Sequence, residues 1–354
     1  MPPGPFYRNR QRVGWKLPKI MASLLERWPS LSVPYVDLGA RPVRVFSARF
    51  DGRQVDVLDE REAAPDYGGN KVRKLEYLLA EAVARGATDL IATGAAGSHH
   101  VLATAIYGKR LGLKTHAVLI PQPDHPHVRS QLSAIARECV EVYPTSGPIA
   151  AAAQVAWLLS RLRFGATPYL VPVGGSNAAG TAGWLKVGLD LADGMKAGTR
   201  PQYRAVYVAV GSAGTAAGLL AGLRLGGATT EVVGVRVVEP FFSRKKRVLR
   251  MAKASVDWLR KHGAPVEIPA LDGFRLQVGW YAGGYGRTDE RIRQVIKTAA
   301  NAGWALDPTY TGKALGACLE EHTGEPVLYV HTVDGRPDRD DPLPEGLRAL
   351  LIDK

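Results

Sequence analysis

The chain has 354 residues, 46 % of them hydrophobic, and a formal net charge of +13. That length supports one large α/β unit or two smaller domains with a core each, and the basic balance suits an anionic ligand as well as nucleic acid or an acidic membrane surface. The positive residues are scattered, with no zinc-finger spacing or RNA-binding motif. No apolar run reaches transmembrane length, and the two cysteines, Cys139 and Cys318, speak against a disulfide framework and for a reducing cytoplasm.

The head segment FYRNRQRVGWKLPK is basic but lacks the apolar stretch of a secretory signal. VRVFSARF and QVDVLD predict the first strands. KVRKLEYLLAEAVARG puts Leu75, Leu78, Leu79, Ala82 and Val83 on one helical face, and Gly86 stops it. TDLIATG then predicts a buried strand, HHVLATAIYGKRLGL a helix, and THAVLIPQ a strand. PHVRSQLSAIAR predicts a helix, CVEVYP a strand, PIAAAAQVAWLLSRL a helix, YLVPVGG a strand and AAGTAGWLKVGLDLAD a helix. The rhythm continues with AVYVAVGS, GTAAGLLAGLRL and EVVGVRVVE. RKKR at 244–247 lies in a run with helical spacing and predicts a solvated helix face. Alternating strands and helices predict parallel sheets covered by helices, with chemistry at the carboxyl ends of the strands.

Glycine-rich turns follow three of these strands: GAAGSHH (94–100), GGSNAAG (174–180) and GSAGT (211–215). GSAGT is the clearest anion cradle. Gly211 and Gly214 permit unusual backbone angles, and the amides of Ser212, Ala213, Gly214 and Thr215 can converge where a helix begins. A plain strand–helix turn is the competing reading. The P-loop and GxGxxG patterns are absent, which disfavours ATP and NAD. GGNK (68–71) puts Lys71 at a helix start. An ammonium is disfavoured there, with Arg73 and Lys74 adding to the effect, so a free amine forms more easily. A surface lysine is the alternative.

Ser98, His99 and His100 admit several readings. Adjacent helical side chains point about 100° apart, so the two imidazoles rarely chelate one ion, and no HExxH spacing accompanies them. No metal is expected. No GxSxG elbow supports a serine nucleophile. Ser98 at a helix start fits an N-cap, alone or alongside a functional role.

Taken in order, GGNKVRKLE, GSHH, VPVGGSNAAGTAG, GSAGT and LDPTYTGKALG resemble the pyridoxal-phosphate family that contains 1-aminocyclopropane-1-carboxylate (ACC) deaminase, D-cysteine desulfhydrase and cysteate sulfo-lyase. The resemblance runs over about residues 30–335. It implies a tryptophan synthase β-like, fold type II α/β architecture of parallel-rich sheets flanked by helices. A larger cofactor domain would span 1–72 and 178–354, and a smaller α/β domain 73–177. A homodimer is implied, and no nucleic-acid or membrane partner.

The resemblance also implies roles. Lys71 would be the Schiff-base lysine and an acid–base group, with Asn70 beside it on the cofactor. Gly211, Ser212, Ala213, Gly214 and Thr215 would hold the phosphate. Ser98 would face the reacting atoms, with His99 and His100 near the substrate. Tyr285 and Tyr310 would be catalytic and substrate-contacting. Thr311 would sit at the pyridine nitrogen. Three departures from the family pattern stand out: His99 where asparagine is usual, glycine for proline before Tyr285 in AGGYGR, and HTVDG at 331–335. A threonine carries no charge, so Thr311 favours a weaker electron sink. The implied activity is α,β-elimination on a small amino acid, giving pyruvate and ammonia, as in D-cysteine desulfhydrase. ACC-deaminase-like ring opening, β-replacement and a non-catalytic binding protein are the alternatives.

Overall fold

The computed structural model describes residues 24–339 and 341–353; the basic head segment lies outside them. A six-stranded sheet has the order β1-β2-β11-β8-β9-β10. Its strands are β1 (Val45–Phe50), β2 (Arg53–Asp59), β8 (Ala205–Val210), β9 (Glu231–Arg236), β10 (Phe274–Gln277) and β11 (Val327–His331). β1 and β2 form an antiparallel hairpin, and every other pairing is parallel. The hairpin turns on Asp51 and Gly52, with φ of 47° and 76°. Both central residues are left-handed, the twist that matches the flanking strands.

A second, all-parallel sheet has the order β6-β4-β3-β7. It comprises β3 (Asp89–Ala95), β4 (Lys114–Ile120), β6 (Glu141–Pro144) and β7 (Pro168–Leu170). A short pair joins β5 (Gln122–Pro123) to β12 (Leu351–Ile352) near the end of the chain. The central strands β3, β4, β8 and β11 are apolar and almost wholly buried, as expected for parallel strands covered on both faces.

The helices are α1 (Val72–Ala84), α2 (His99–Arg110), α3 (Pro126–Glu138), α4 (Pro148–Leu162), α5 (Ala178–Lys196), α6 (Gly214–Leu225), α7 (Lys245–Lys261), α8 (Glu290–Asn301) and α9 (Thr311–Glu320). α1 to α7 agree with the expected elements; α8 and α9 are not among them. α7 exposes Arg244, Lys245 and Lys246 at its start, the solvated face expected of RKKR. Both cysteines are free and buried.

Two strand expectations need shortening. YLVPVGG is a strand only over its first residues. Beyond Pro172 the backbone turns through Gly174 and Gly175, both at positive φ, and forms a single 3-10 turn. EVVGVRVVE leaves its sheet after Arg236. In both places the apolar run continues into a loop that lines the cleft, so composition alone overstates the strand.

The carboxyl ends of β2, β8 and β11 in one sheet, and of β3 in the other, open toward one region. All of the chemistry-bearing turns lie there.

Candidate active site

Lys71 occupies the turn before α1. Its loop is pinned from three directions. The Gly69 amide donates to the Glu60 carbonyl at 2.7 Å, the Asn70 amide to the Thr332 carbonyl at 2.9 Å, and Trp184 Nε1 to the Asn70 carbonyl at 2.9 Å. Gly69 has φ of 76°, and a Cβ there would lie 3.0 Å from the Thr332 carbonyl oxygen, so this backbone needs glycine. The Gly68 amide donates to Asp334 Oδ1 at 2.7 Å. The HTVDG segment thus buttresses the lysine loop.

Lys71 Nζ donates to Asn70 Oδ1 at 3.0 Å, and Asn70 Nδ2 donates to Thr215 Oγ1 at 3.0 Å. Burial lowers the Lys71 pKa from 10.5 to about 8, against a smaller upward pull from the Asp307 carboxylate. The amine is therefore freed more readily than a solvent lysine. Arg73 plays no part in this, contrary to the sequence expectation. Its guanidinium is turned away and pairs with Glu60 at 2.6 and 2.7 Å. Lys74 does not lower the Lys71 pKa either; burial and then the Lys71 charge instead lower that of Lys74.

Lys74 is 1 % exposed, and its Nζ donates to the Gly174 carbonyl and to Ser176 Oγ, each at 3.1 Å. Among the described residues it has no carboxylate partner, and burial, then the Lys71 charge, hold its pKa well below normal. Ser176 Oγ also lies 2.7 Å from Ser212 Oγ and accepts from the Gly214 amide at 3.2 Å. Sequence reasoning missed Lys74 as a site residue because a lysine in a basic helical run reads as surface.

The loop 211–215 runs from the end of β8 into α6. Ala213 adopts a left-handed φ of 77°, uncommon for a residue with a Cβ, and the first turn of α6 carries no acidic side chain. A Cβ on Gly214 would collide with Ser176 and lie 3.0 Å from Lys74 Nζ. These observations test the implied cofactor. A helix N-terminus with no acidic side chain in its first turn, a buried lysine with no carboxylate partner among the described residues, and the Ser176 and Ser212 hydroxyls fit a phosphate. An amine of lowered pKa one turn away fits an aldehyde. The residues present match pyridoxal phosphate.

Ser98 caps α2: its Oγ accepts from the Val101 amide at 3.3 Å. His100 is 3 % exposed, and neither ring nitrogen makes a well-formed hydrogen bond, although the Pro172 carbonyl is near. Burial, then the Lys71 and Lys74 charges, lowers its pKa to about 3, so it is neutral. His99 Nδ1 meets Tyr67 Oη at 2.5 Å, and its Nε2 meets His127 Nε2 at 2.9 Å. Burial and then His127 lower the His99 pKa to about 3. Neither imidazole brings positive charge to the cleft.

Tyr285 and Tyr310 come together from distant loops, with their hydroxyls 2.8 Å apart. Burial raises the Tyr285 pKa to about 12 and that of Tyr310 well above its usual value. Both phenols stay protonated at neutral pH, and one donates to the other. The Tyr310 ring packs against the phosphate-loop backbone at Gly211.

Thr311 begins α9, fully buried, and its hydroxyl donates to Asp307 Oδ2 at 2.5 Å. Asp307 also accepts from the amides of Thr309, Tyr310 and Thr311 at 2.8, 2.7 and 3.0 Å. Burial pushes this carboxyl up, but the Thr311 hydroxyl, then the His127 charge and the amides, outweigh it, leaving its pKa lowered. Asp307 is a second residue that sequence reasoning passed over, although an aspartate four residues before a helix start, followed by proline, is a readable turn signal.

Comparison with known proteins gives a consistent result. The profile of the family described as "Pyridoxal-phosphate dependent enzyme" matches residues 39–333. A D-cysteine desulfhydrase of Klebsiella pneumoniae (strain 342) is 33 % identical over 294 residues, covering 79 % of this chain and 87 % of its own length. One from Yersinia enterocolitica is 33 % identical over 319 residues, covering 84 % and 93 %. Among solved structures, an ACC deaminase homologue superposes with a TM-score of 0.73 at 26 % identity, covering 90 % of this chain and 95 % of its own. A hydrogen sulfide-producing enzyme from Fusobacterium nucleatum has a TM-score of 0.57 at 15 % identity, covering 84 % and 94 %, a likeness of fold alone.

Proposed function

Since the chain belongs to the family of pyridoxal-phosphate dependent enzymes, we propose that it is a lyase that eliminates a β-leaving group from a small amino acid, with D-cysteine as the leading substrate. The single observation that carries this is a buried Lys71 amine of lowered pKa in a chain that has threonine, not a carboxylate, at 311. The chain has a buried amine of lowered pKa beside a phosphate cradle, and no carboxylate at position 311 to strengthen the electron sink. The D-cysteine desulfhydrases aligned over most of the chain support the substrate.

Bound here, pyridoxal phosphate supplies the electron sink that lets bonds at the substrate α-carbon break. Lys71 holds its aldehyde end, while Lys74, Ser212, Thr215 and the amides of 211–215 hold its phosphate. Asn70 sets the Lys71 amine by accepting from Nζ and ties it to Thr215. With its lowered pKa, Lys71 Nζ takes the α-proton. The Tyr285–Tyr310 pair, kept protonated by burial, donates on the departing-group side. Ser98, at the start of α2, and the neutral His99 and His100 wall the substrate side. The larger domain takes 1–72 and 178–354, and the smaller 73–177. A cytoplasmic homodimer is the expected form. Two free, buried cysteines fit that compartment, and no helix among the described residues is long and apolar enough to cross a membrane.

The test is direct. Protein loaded with pyridoxal phosphate, but not Lys71→Ala, should show a borohydride-sensitive visible band. A panel of D-cysteine, β-chloro-D-alanine, L-cysteate and ACC is then scored for pyruvate or 2-oxobutyrate. Pyruvate from the first two supports the reading. 2-Oxobutyrate from ACC, with no pyruvate from any of the others, overturns it.

A further inference from the structure

A line of polar groups flanks the site and ends at the surface. Tyr67 Oη donates to Gln131 Oε1 at 3.1 Å and meets His99 Nδ1 at 2.5 Å. His99 Nε2 meets His127 Nε2 at 2.9 Å, and His127 Nδ1 meets Asp338 Oδ1 at 2.7 Å. Tyr67 is 1 % exposed, whereas the Asp338 side chain is 44 % exposed. Gln131 and His127 lie on α3, His99 on α2, Tyr67 in the lysine loop and Asp338 in the segment after β11.

Two imidazole nitrogens facing each other at this distance share one proton. One donates and the other accepts. With His99 neutral, a single assignment satisfies every contact when Tyr67 donates to Gln131. His99 then donates from Nδ1 to Tyr67 Oη and accepts at Nε2. His127 donates from Nε2 to His99 and from Nδ1 to Asp338, which makes it an imidazolium beside a carboxylate. Burial opposes that charge, but Asp338, then Asp307 and Asp334, leave the His127 pKa raised. His125, on the same helix, caps α3 by accepting from the His127 amide at 3.2 Å. Lys71 opposes charge on His99, and Asp307 favours it.

We propose that His127 and Asp338 are positioning residues that set the tautomer of His99, and that loss of one proton from His127 switches it. In the protonated form His99 carries its proton on Nδ1. When His127 gives up its Nε2 proton to solvent, that nitrogen becomes an acceptor. His99 must then carry its proton on Nε2 to donate to it. His99 Nδ1 becomes an acceptor for Tyr67, and the Gln131 amide turns its nitrogen toward Tyr67 Oη. One proton leaves, one moves across the His99 ring, and every contact survives. The dyad thus turns a surface ionisation into a reversal of the hydrogen-bond direction beside the cofactor site. The inference rests on the lyase reading only in placing His99 beside that site.

Nitrogen-15 histidine NMR of the cofactor-free chain tests it. His99 should pass from the Nδ1–H to the Nε2–H tautomer as pH rises. Asp338→Asn, a change at an exposed residue, should lower the switching pH by about one unit or more, since it removes the charge that favours imidazolium. In loaded protein the visible spectrum and the pH profile of kcat/KM should shift in the same direction. A His99 tautomer that is constant from acid to alkaline pH, or a switching pH unmoved in Asp338→Asn, overturns the proposal. Absence of pyruvate formation with a normal tautomer switch would instead overturn the lyase reading alone.

Discussion

The Asn70 side chain spans two functional groups, donating to Thr215 Oγ1 and accepting from Lys71 Nζ, both at 3.0 Å. Asn70→Ala should weaken cofactor retention by roughly tenfold, the scale of one net hydrogen bond. Asn70→Asp tests the charge. A carboxylate beside Lys71 favours its ammonium, so cofactor uptake, which needs the neutral amine, should require higher pH. In the parent the half-point should lie near the Lys71 pKa of about 8. Stopped-flow absorbance during uptake reads both.

Lys74 should separate affinity from stability. Lys74→Met keeps the shape and removes a buried amine that has no carboxylate partner among the described residues. The cofactor-free protein should become more resistant to urea, because on folding Lys74 must either bury its charge or give up its proton. Cofactor affinity should fall by about ten- to a hundredfold, as expected for loss of a charged hydrogen bond worth ~1.5–3 kcal/mol. A variant that is both less stable and equally tight-binding would contradict the phosphate role.

Thr311→Val removes the hydroxyl that Asp307 Oδ2 accepts from. Destabilisation of about 1.5–3 kcal/mol is expected in urea unfolding. The sign with pH follows from the lowered Asp307 pKa. A carboxyl depressed in the folded state contributes stability above its unfolded pKa and loses it as pH falls through the folded pKa. The variant's Asp307 is less depressed, so its acid-unfolding midpoint should move to higher pH.

The two phenols should stay protonated at pH 10, where a solvent tyrosine is half ionised. Ultraviolet titration of tyrosinate, comparing parent with Tyr285→Phe and Tyr310→Phe, checks this. Each variant should lose roughly a hundredfold or more in kcat while still taking up cofactor, because neither hydroxyl contacts the phosphate cradle's donors.

What the sequence revealed of the site follows chain distance. Lys71 and 211–215 are legible because each motif builds its own turn and helix start. The Ser98 cap is local in the same way. Lys74 is illegible because its burial comes from Gly174 and Ser176, about a hundred positions later. The His127–Asp338 contact spans 211 positions, and no periodicity anticipates it. HTVDG looked like a lapse from the family pattern. The structure gives it work, since Asp334 accepts from the Gly68 amide. The early end of β7 was hidden because YLVPV continues to look like a strand until Gly174 and Gly175 turn it.

The Asn70–Thr332 and Glu60–His331 backbone contacts also carry a message about biosynthesis. Strand β11, which pairs with β2 and β8, leaves a ribosome after Lys71, the 211–215 loop and both tyrosines. A nascent chain therefore holds its lysine, its tyrosines and its phosphate loop before it holds the strand that seats them. Cofactor capture should wait for the synthesis of that strand, and chains released before Val327 should remain colourless however much of the site they contain.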